Sequence, residues 1–289
     1  MNELDFASKR ATKTSGLTRT VGFLGQFILA AGHRIFSMLG GMSLLLGKVA
    51  SSTTKGLLVP GQRIGRAALL AQMVRVGVRA VPIVVLIQAA IGMILPLQMF
   101  PMLDEFGQSD QVAAINAVAG FREFGPLMTA VVLCGFAGAS IAAELGTMVT
   151  TEEIEALQAL ALNPVRFLVV PRLLATIIMT VMLTVIADVV IVLSGMFTAA
   201  QLGIDPDTYF HLTCEAVDVA GFITGLVKAA AFGLVIGLIA CFLGLSVKSW
   251  QGSEGVGRAT TNTVVYSIVA IIVADAVFTL IFYSYGLFD

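Results

Sequence analysis

Five ionisable residues interrupt stretches of this sequence that are otherwise apolar, and they are the residues best placed to do chemistry. Arg122 and Glu123 are adjacent in the segment AGFREFGPLMTAV, while Asp188, Lys228 and Asp275 each fall in a further apolar stretch. A charged side chain inside a bilayer costs roughly 3 kcal/mol on insertion scales, so such residues are usually functional and usually paired. They could bind a polar cargo, relay protons, or hold helices in register as structural ion pairs.

The pair Arg122 and Glu123 is followed directly by Gly125 and Pro126. Proline is favoured in the first turn of a helix, so we predict that the pair lies where a helix is broken or restarted. Inside a membrane, a break of that kind is tolerated only beside a cavity or within protein.

Lys228 lies next to a stripe of small residues that recur at every fourth position: Gly221, Gly225, Ala229, Gly233, Gly237 and Cys241. Such repeats allow the backbones of neighbouring membrane helices to approach closely, which predicts a packing face. Lys228 is about 100° around the helix from Ala229. We therefore expect it to face protein or a cavity rather than lipid.

The composition requires a membrane around these charges. Of the 289 residues, 57% are hydrophobic and 12% are charged, whereas a soluble domain has about 25% charged residues. A membrane-spanning helix needs about 20 apolar residues, and this predicts an all-α integral membrane protein with five transmembrane helices. The predicted spans cover residues 80–101, 125–148, 173–199, 222–245 and 263–285.

The distribution of charge predicts the orientation of these spans. Eleven of the 17 Lys and Arg residues lie at or before Arg79, and the connections 102–111 and 201–218 carry acidic residues without any Lys or Arg. Basic residues stay on the cytoplasmic side. We therefore predict a cytoplasmic N-terminus and a C-terminus on the opposite, periplasmic side.

The N-terminal region is predicted to lie outside the five-span core. We interpret residues 1–16 as a disordered cytoplasmic tail, 17–78 as an interfacial amphipathic region, and 79–289 as the five-span domain. Within the second region, residues 21–49 are long enough to cross, but Gln, His and Arg interrupt the middle. We favour a helix in the membrane interface, with a sixth span as the alternative.

Several functions have no support in the sequence. The nearest approach to a nucleotide-binding loop, GGMSLLLGKV, has the wrong glycine spacing and places Val49 after Lys48 instead of Ser or Thr. Cys134, Cys214 and Cys241 are scattered and predict no disulfide or zinc site. No metal cluster is visible, and the net charge of −1 argues against nucleic acid. We predict that the chain is not an enzyme and takes its energy from an ion gradient or a partner.

A short amphipathic helix is predicted between the second and third spans, in TTEEIEALQALALNP. Thr150 and Glu153 have the spacing of a capping box, and Asn163-Pro164 ends the helix at about 151–162. The first turn is acidic, with Glu152, Glu153 and Glu155. An apolar stripe follows, with Ile154, Leu157 and Leu160. The helix could dock onto a cytosolic partner or be a simple interfacial turn.

One family fits these motifs closely. The sequence resembles the MlaE (YrbE) permease family in three runs. The longest is FREFGPLMTAVVLCGFAGASIAAELGTMVTTEEIEALQALALNPVRFLVVPRLLA, and the later two are LVKAAAFGLVIGLIACFLG and GVGRATTNTVVYSIVAIIVADAVF. These are the membrane subunits of MCE-type ABC transporters, which move phospholipids and related lipids. The resemblance implies an interfacial N-terminal helix and five transmembrane helices in a bacterial inner membrane.

The resemblance also implies partners and site residues. It implies a homodimer that encloses a lipid-sized cavity, two cytoplasmic ATPase subunits that bind ATP and Mg, often a STAS-domain subunit, and a periplasmic MCE hexamer. It makes 151–162 a coupling helix, and Asp275 a polar position of the last span. It predicts the following substrate-binding residues: Arg122, Glu123, Lys228, Leu95, Leu103 and Phe106. Pro96 and Pro101 depart from the pattern near the predicted pocket.

We therefore interpret the sequence as the permease of a lipid transporter that contributes to outer-membrane lipid asymmetry. The chain itself would bind no cofactor other than a phospholipid. Two alternatives remain open: an ion-coupled secondary transporter with Glu123, Asp188 and Asp275 as a proton relay, or a structural membrane scaffold that assembles partners and moves nothing. In any of these proteins, Asp188 and Asp275 could also be structural charges that hold helices in register.

Overall fold

The computed structural model describes residues 36–52 and 66–286. The chain divides into two units, Met1–Gly47 and Lys48–Asp289. The predicted tail 1–16 lies outside the described residues, as does most of the predicted interfacial segment 21–49, so both stay predictions. Over the described ranges the chain is helical and contains no β-strand.

Five helical segments of the described chain are long and apolar enough to cross a membrane: Ala67–Glu105, Gln111–Thr150, Val165–Gln201, Val219–Leu245 and Ser249–Ser284. We call them the first to fifth spans. Four of the five predicted stretches lie inside one of these segments, and the fifth, 263–285, extends one residue beyond Ser284. The prediction of an all-α chain with five helices that could cross a membrane is therefore confirmed over the described residues. The helical segments are longer than predicted. In particular, the second begins at Gln111 rather than at 125, and it therefore contains Arg122 and Glu123.

The individual helices follow one another with short connections. In chain order they are α1 (36–52), α2 (Arg66–Val76), α3 (Val81–Glu105), α4 (Gln111–Ala119), α5 (Gly125–Leu133), α6 (Ala139–Thr150), α7 (Glu153–Ala159), α8 (Val170–Gln201), α9 (Pro206–Ala216), α10 (Val219–Leu245) and α11 (Gly252–Ser284). Helices α7 and α9 are the short connections on either side of the third span, so they lie at opposite ends of the bundle.

The third span is the centre of the second unit. Helix α8 packs against α3 of the first span, α5 of the second and α10 of the fourth. Its hydroxyls at Thr176, Thr180 and Thr184 are buried and donate to the carbonyl four residues earlier, which satisfies them without a partner helix. The fifth span packs on α10 and α6 and is the least buried of the five.

The small-residue stripe on α10 is a packing face, as predicted. All six of its members are buried. At Gly233 an added Cβ would lie 2.8 Å from the Ile177 Cα and 2.8 Å from the Thr180 hydroxyl of α8. At Gly225 it would collide with the carbonyl oxygen of Phe121. Close backbone approach therefore joins the fourth span to the second and the third.

The prediction that a helix is broken or restarted at Gly125 is wrong. The second span continues through a π-helical segment, Gly120–Phe124, in which the Gly125 N–H donates to the Gly120 carbonyl. Proline lacks an N–H and its ring clashes with the carbonyl four residues earlier, and both problems are local to one turn. A wider π turn before Pro126 accommodates them without ending the helix.

The predicted capping box is also wrong. Helix α6 extends to Thr150, whose hydroxyl donates to the Thr147 carbonyl. Thr150 is therefore still helical and cannot act as the N-cap of the next helix, which needs non-helical backbone. Helix α7 instead begins after Glu152, which has a left-handed backbone with φ 60°, and the Thr151 hydroxyl bonds to the Glu153 carboxylate at 3.0 Å.

Candidate functional site

Lys228 is the centre of a buried charged cluster that joins three spans. Its Nζ lies 2.7 Å from Glu123 Oε1 on the second span and 3.0 Å from Asp275 Oδ1 on the fifth. It also donates to the Thr279 hydroxyl at 2.8 Å, and that hydroxyl donates to Glu123 Oε1 at 3.0 Å. Three of the predicted intramembrane charges therefore meet at one point. We call Glu123, Lys228, Asp275 and Thr279 the ionic cluster.

The ionic cluster is asymmetric in charge and in exposure. One ammonium faces two carboxylates, so the cluster has an excess negative charge when both are ionised. The Lys228 side chain is 1% exposed, whereas that of Glu123 is 33% exposed. Asp275 Oδ1 is buried, and its contact with Lys228 lacks the alignment of a hydrogen bond. The Asp275 side chain is 15% exposed, so Glu123 is the more exposed of the two carboxylates.

Arg122 and Glu123 are neighbours in sequence but have different partners. The Arg122 guanidinium lies 3.3 Å from Asp218 Oδ1. The same carboxylate oxygen accepts a 2.7 Å bond from the Gly221 N–H and so caps α10. An acidic N-cap is favoured by the helix dipole. Both residues therefore fix the second span to the fourth, Arg122 at the start of α10 and Glu123 further along it.

Asp188 is not part of the ionic cluster. Its side chain is buried on α8, and its Oδ1 atom has no hydrogen-bond partner among the described residues. That oxygen would collide with a Cβ added to Gly125. The Gly125 carbonyl accepts a 3.3 Å bond from the buried Gln88 amide of the first span. Asp188 and Gln88 thus both pack at the end of the π segment that carries Glu123.

The predicted apolar pocket residues have different surroundings along the first span and just beyond its end. Leu95 is half-buried, Leu103 packs on the apolar cluster around Tyr209, and Phe106 is exposed at 69%. Helix α3 passes through Pro96 and Pro101 without interruption. A lipid chamber formed between two copies is not tested by one chain, and the role of these residues stays a prediction.

The connecting helix α7 lies outside the spans and contains no buried residue. Its apolar side chains at Ile154 and Leu157 are half-buried, and Leu160 is 71% exposed. It packs only lightly, on α6 of the second span. The helix thus has the exposure that a docking surface needs.

A second ion-pair cluster, at the α7 end, was not predicted from the sequence. Glu144 Oε1 lies 2.6 Å from Arg75 and 2.9 Å from Arg172, and Arg172 is buried and donates to the Leu168 carbonyl at 2.7 Å. The cluster joins the first, second and third spans. The available signal was Glu144 itself, an acidic residue inside the predicted span 125–148.

Replacing Glu144 with alanine is expected to destabilise the protein by about 2–4 kcal/mol, because Arg172 would be left buried without a counter-charge. The measurement is thermal unfolding of the purified protein in detergent. Glu254→Ala is the matched control, since Glu254 binds Arg258 on an exposed helical turn, where such pairs contribute about 0.3–0.5 kcal/mol. Equal melting temperatures for the two variants would contradict the prediction.

The packing around α9 is a further feature without a sequence signal. Asn116 donates to the hydroxyl of the buried Tyr209 at 2.7 Å. Burial raises the pKa of Tyr209 above its usual value, so the phenol remains neutral.

In residues 36–52 and 66–286, no three His, Cys, Asp or Glu side chains come together as metal ligands.

Taken together, an ionic cluster enclosed by apolar spans and an exposed helix between two of them define a multi-pass membrane protein of the transporter class. The family model described as Permease MlaE matches residues 69–281. The chain therefore belongs to the MlaE permease family. Proteins of this family are permease subunits of ABC transporters, and a separate subunit carries out ATP hydrolysis.

Individual relatives agree with this assignment. A probable ABC transporter permease protein of Rickettsia typhi is 34% identical over 212 residues, which are 73% of this chain and 81% of the relative. The intermembrane phospholipid transport system permease protein MlaE of Haemophilus influenzae is 30% identical over 220 residues, 75% and 84% of the two chains. The chloroplastic protein TRIGALACTOSYLDIACYLGLYCEROL 1 of Arabidopsis thaliana is 29% identical over 216 residues, 74% and 61%.

Proposed function

We propose that this permease moves phospholipids, or closely related lipids, between a bacterial inner membrane and a periplasmic MCE partner, and so contributes to outer-membrane lipid asymmetry. Two of the relatives support a lipid cargo by name, one as part of an intermembrane phospholipid transport system and one with a galactolipid in its name. The α7 end would then be cytoplasmic and the α9 end periplasmic, in agreement with the distribution of basic residues.

The observation that carries the proposal is the ionic cluster, whose more exposed carboxylate is that of Glu123. A phospholipid has apolar chains and a charged headgroup, so a site for it needs apolar walls and a few fixed charges. Lys228 holds Glu123 in place at 2.7 Å while a third of the Glu123 side chain stays exposed. Glu123 and Arg122 would form the polar floor of the lipid chamber, with Leu95, Leu103 and Phe106 in its wall.

The partners that we propose are based on the family and on exposed surfaces of the chain. A homodimer is supported by the fifth span, which is the least buried and presents Val269, Ile272 and Val273 on its surface. Helix α7 would couple to the ATPase, which binds ATP and Mg. An MCE hexamer at the α9 end and a STAS-domain subunit on the ATPase complete the assembly that we propose.

In the proposed mechanism, ATP-driven closure of the ATPase pair moves α7, and the movement passes to the second and third spans on either side of it. The Glu144 cluster joins these two spans to the first at the same end, so the three would move together. Closure would reduce the chamber between the two copies and expel the lipid toward the MCE partner.

An ion-coupled secondary transporter is the second candidate, and Asp188 is the observation that favours it. A buried carboxylate without a hydrogen-bond partner is the kind of group that proton-driven transporters use. In the described chain, however, no hydrogen bond or ion pair links Asp188 to Glu123 or Asp275. A relay would need that link, so the lipid permease accounts for more of the geometry than either this candidate or an inert scaffold.

The test is lipid transport by Glu123→Gln in proteoliposomes that contain the ATPase partner. We expect at least about a ten-fold loss of transport, the equivalent of one charge-assisted hydrogen bond of roughly 1.4 kcal/mol or more. Glu254→Gln, on the exposed turn with Arg258, is the control and should transport normally. Undiminished transport by Glu123→Gln would remove the site. Transport by the lone chain under a proton gradient would instead support the secondary transporter.

A further inference from the structure

The charged side chains around Glu123 are not equally exposed, and in each ion pair the carboxylate is the more exposed member. The Lys228 side chain is 1% exposed, whereas those of its partners Glu123 and Asp275 are 33% and 15% exposed. In the neighbouring pair, Arg122 is 17% exposed and Asp218 is 48% exposed. The cations are thus the covered members, and the charge that these pairs present to their surroundings is mainly negative.

The Lys228 ammonium has no N–H left for a ligand. A lysine ammonium has three donors. Two of them bind Glu123 Oε1 at 2.7 Å and the Thr279 hydroxyl at 2.8 Å, and the group also faces Asp275 Oδ1 at 3.0 Å. A lipid phosphate would therefore have to displace one of these partners in order to reach Lys228.

Glu123 is held through one of its two carboxylate oxygens. Lys228 and Thr279 both donate to Oε1, at 2.7 Å and 3.0 Å, and Oε2 takes part in neither bond. An ionised carboxylate accepts hydrogen bonds and donates none. Oε2 is therefore an acceptor on the more exposed carboxylate of the ionic cluster, and it can bind a ligand that has an N–H group.

Thr279 forgoes a bond to its own helix in order to hold Oε1. A threonine hydroxyl inside a helix can donate to the carbonyl four residues earlier, and Thr263 of the same helix does so at 2.8 Å. The Thr279 hydroxyl instead accepts from Lys228 and donates to Glu123. It thereby fixes the Glu123 carboxylate from the fifth span, a role that no sequence pattern predicted.

The balance of charge discriminates between lipid headgroups. With both carboxylates ionised, the ionic cluster has one positive and two negative charges, and the pair of Arg122 and Asp218 adds no net charge. An anionic headgroup would meet this excess negative charge in apolar surroundings, where repulsion is strongest. A primary ammonium would instead supply the missing positive charge together with N–H donors.

We propose that the site recognises its lipid by a headgroup amine, that of phosphatidylethanolamine, whose ammonium donates to Glu123 Oε2. Thr279 is a positioning residue, which holds Oε1 and leaves Oε2 for the ligand. Lys228 holds Glu123 in the same way and does not bind the lipid phosphate. This inference rests on the proposed lipid transport and names the headgroup class of the cargo.

The experiment is native mass spectrometry of the full chain in detergent, with equal amounts of phosphatidylethanolamine, phosphatidylcholine and phosphatidylglycerol that have the same acyl chains. All three contain one phosphate diester and differ only in the head alcohol. We expect phosphatidylethanolamine to be retained about ten-fold more than phosphatidylglycerol, the equivalent of about 1.4 kcal/mol for one charge-assisted hydrogen bond. Phosphatidylcholine has the positive charge but no N–H, so it should be retained less than phosphatidylethanolamine. Equal retention of the three lipids would overturn the proposal.

A substitution at Glu123 tests whether the preference arises at the ionic cluster. Glu123→Gln removes the negative charge, so the ratio of retained phosphatidylethanolamine to phosphatidylglycerol should fall to about one. Glu254→Gln removes an exposed carboxylate next to Arg258 and should keep the wild-type ratio. A wild-type ratio in Glu123→Gln would mean that the amine binds elsewhere on the chain, and it would refute the site.

A pair of substitutions tests the positioning role of Thr279. Thr279→Val removes the hydroxyl at nearly constant volume and should lower the retention ratio several-fold, whereas Thr279→Ser keeps the hydroxyl and should preserve it. A merely structural role would lower the melting temperature and leave the ratio unchanged. That result for Thr279→Val would therefore overturn the positioning role.

Two further measurements separate this inference from the proposed function. Glycerophosphoethanolamine has the same headgroup without acyl chains, and displacement of phosphatidylethanolamine by an equal concentration of it would overturn the assignment of a lipid ligand. In proteoliposomes with the ATPase partner, we expect phosphatidylethanolamine to be transported faster than phosphatidylglycerol. Equal transport of the two lipids would refute the amine preference and leave the proposed function intact. Transport of neither lipid would refute the proposed function, and the retention ratio would still decide whether the amine is recognised.

Discussion

Replacement of Lys228 by methionine is expected to be the most damaging single substitution in the described chain, with a loss of about 3–5 kcal/mol in the free energy of unfolding. The ammonium is 1% exposed and separates two carboxylates on different spans. Methionine has a similar length but no charge, so Glu123 and Asp275 would repel each other across an apolar space. We expect a large drop in melting temperature and complete loss of transport.

The controls distinguish the charge from the volume of the side chain. Lys248→Met replaces an exposed lysine near Trp250 and should change stability by less than about 1 kcal/mol. Combining Lys228→Met with Glu123→Gln and Asp275→Asn removes the repulsion, so this triple variant should recover much of the stability and none of the transport. If Lys228→Met alone unfolds at the wild-type temperature, the ionic cluster does not hold the three spans together.

Replacement of Gly225 by alanine is expected to impair stability and transport together. The added methyl group would collide with the Phe121 carbonyl oxygen, and a backbone atom cannot rotate away as a side chain can. The fourth span would have to separate from the π segment Gly120–Phe124, which carries Glu123. Overpacking of this kind costs about 1–3 kcal/mol. We expect that loss in thermal unfolding, together with at least about a ten-fold loss of transport because Glu123 moves relative to Lys228.

Gly257→Ala is the matched control for this change. Gly257 lies in the fifth span, and an added Cβ there would have no heavy atom within 4 Å. Alanine in an open helical position stabilises by about 0.5–1 kcal/mol relative to glycine. The two substitutions are chemically identical, so opposite effects on melting temperature would identify backbone contact as the cause. Equal effects would mean that the close approach at Gly225 does not constrain the spans.

The predictions for Lys228→Met and Gly225→Ala concern the same packing interface between the second and fourth spans. Gly225 allows α10 to approach Phe121, and this approach places Lys228 one turn further along α10 within reach of Glu123. Asp218 contributes at the start of α10, where it both caps the helix and pairs with Arg122. The π segment is the feature that presents two adjacent charges to two different points of one neighbouring helix.

The sequence alone determined the spans, the packing face of α10 and the short helix between the second and third spans. These features depend on local composition and on the period of the α-helix, both of which are readable from neighbouring residues. The family resemblance was readable for the same reason, since its motifs are contiguous. Predictions from neighbouring residues were wrong at two turns whose conformation depends on tertiary packing. A π segment precedes Pro126 where a helix break was predicted, and a left-handed Glu152 begins α7 where a Thr150 cap was predicted.

Only the tertiary structure decided which charges meet. Lys228 pairs with residues 105 positions before it and, through Thr279, 51 positions after it, and Glu144 joins Arg75 to Arg172 although periodicity gave it no partner. The Thr213 hydroxyl has no hydrogen-bond partner among the described residues, and this too could not be predicted, because it depends on how α9 packs against α8. The physical reason is that a charge is stabilised by what lies within a few ångströms, and the packing of spans remote in sequence determines that neighbourhood.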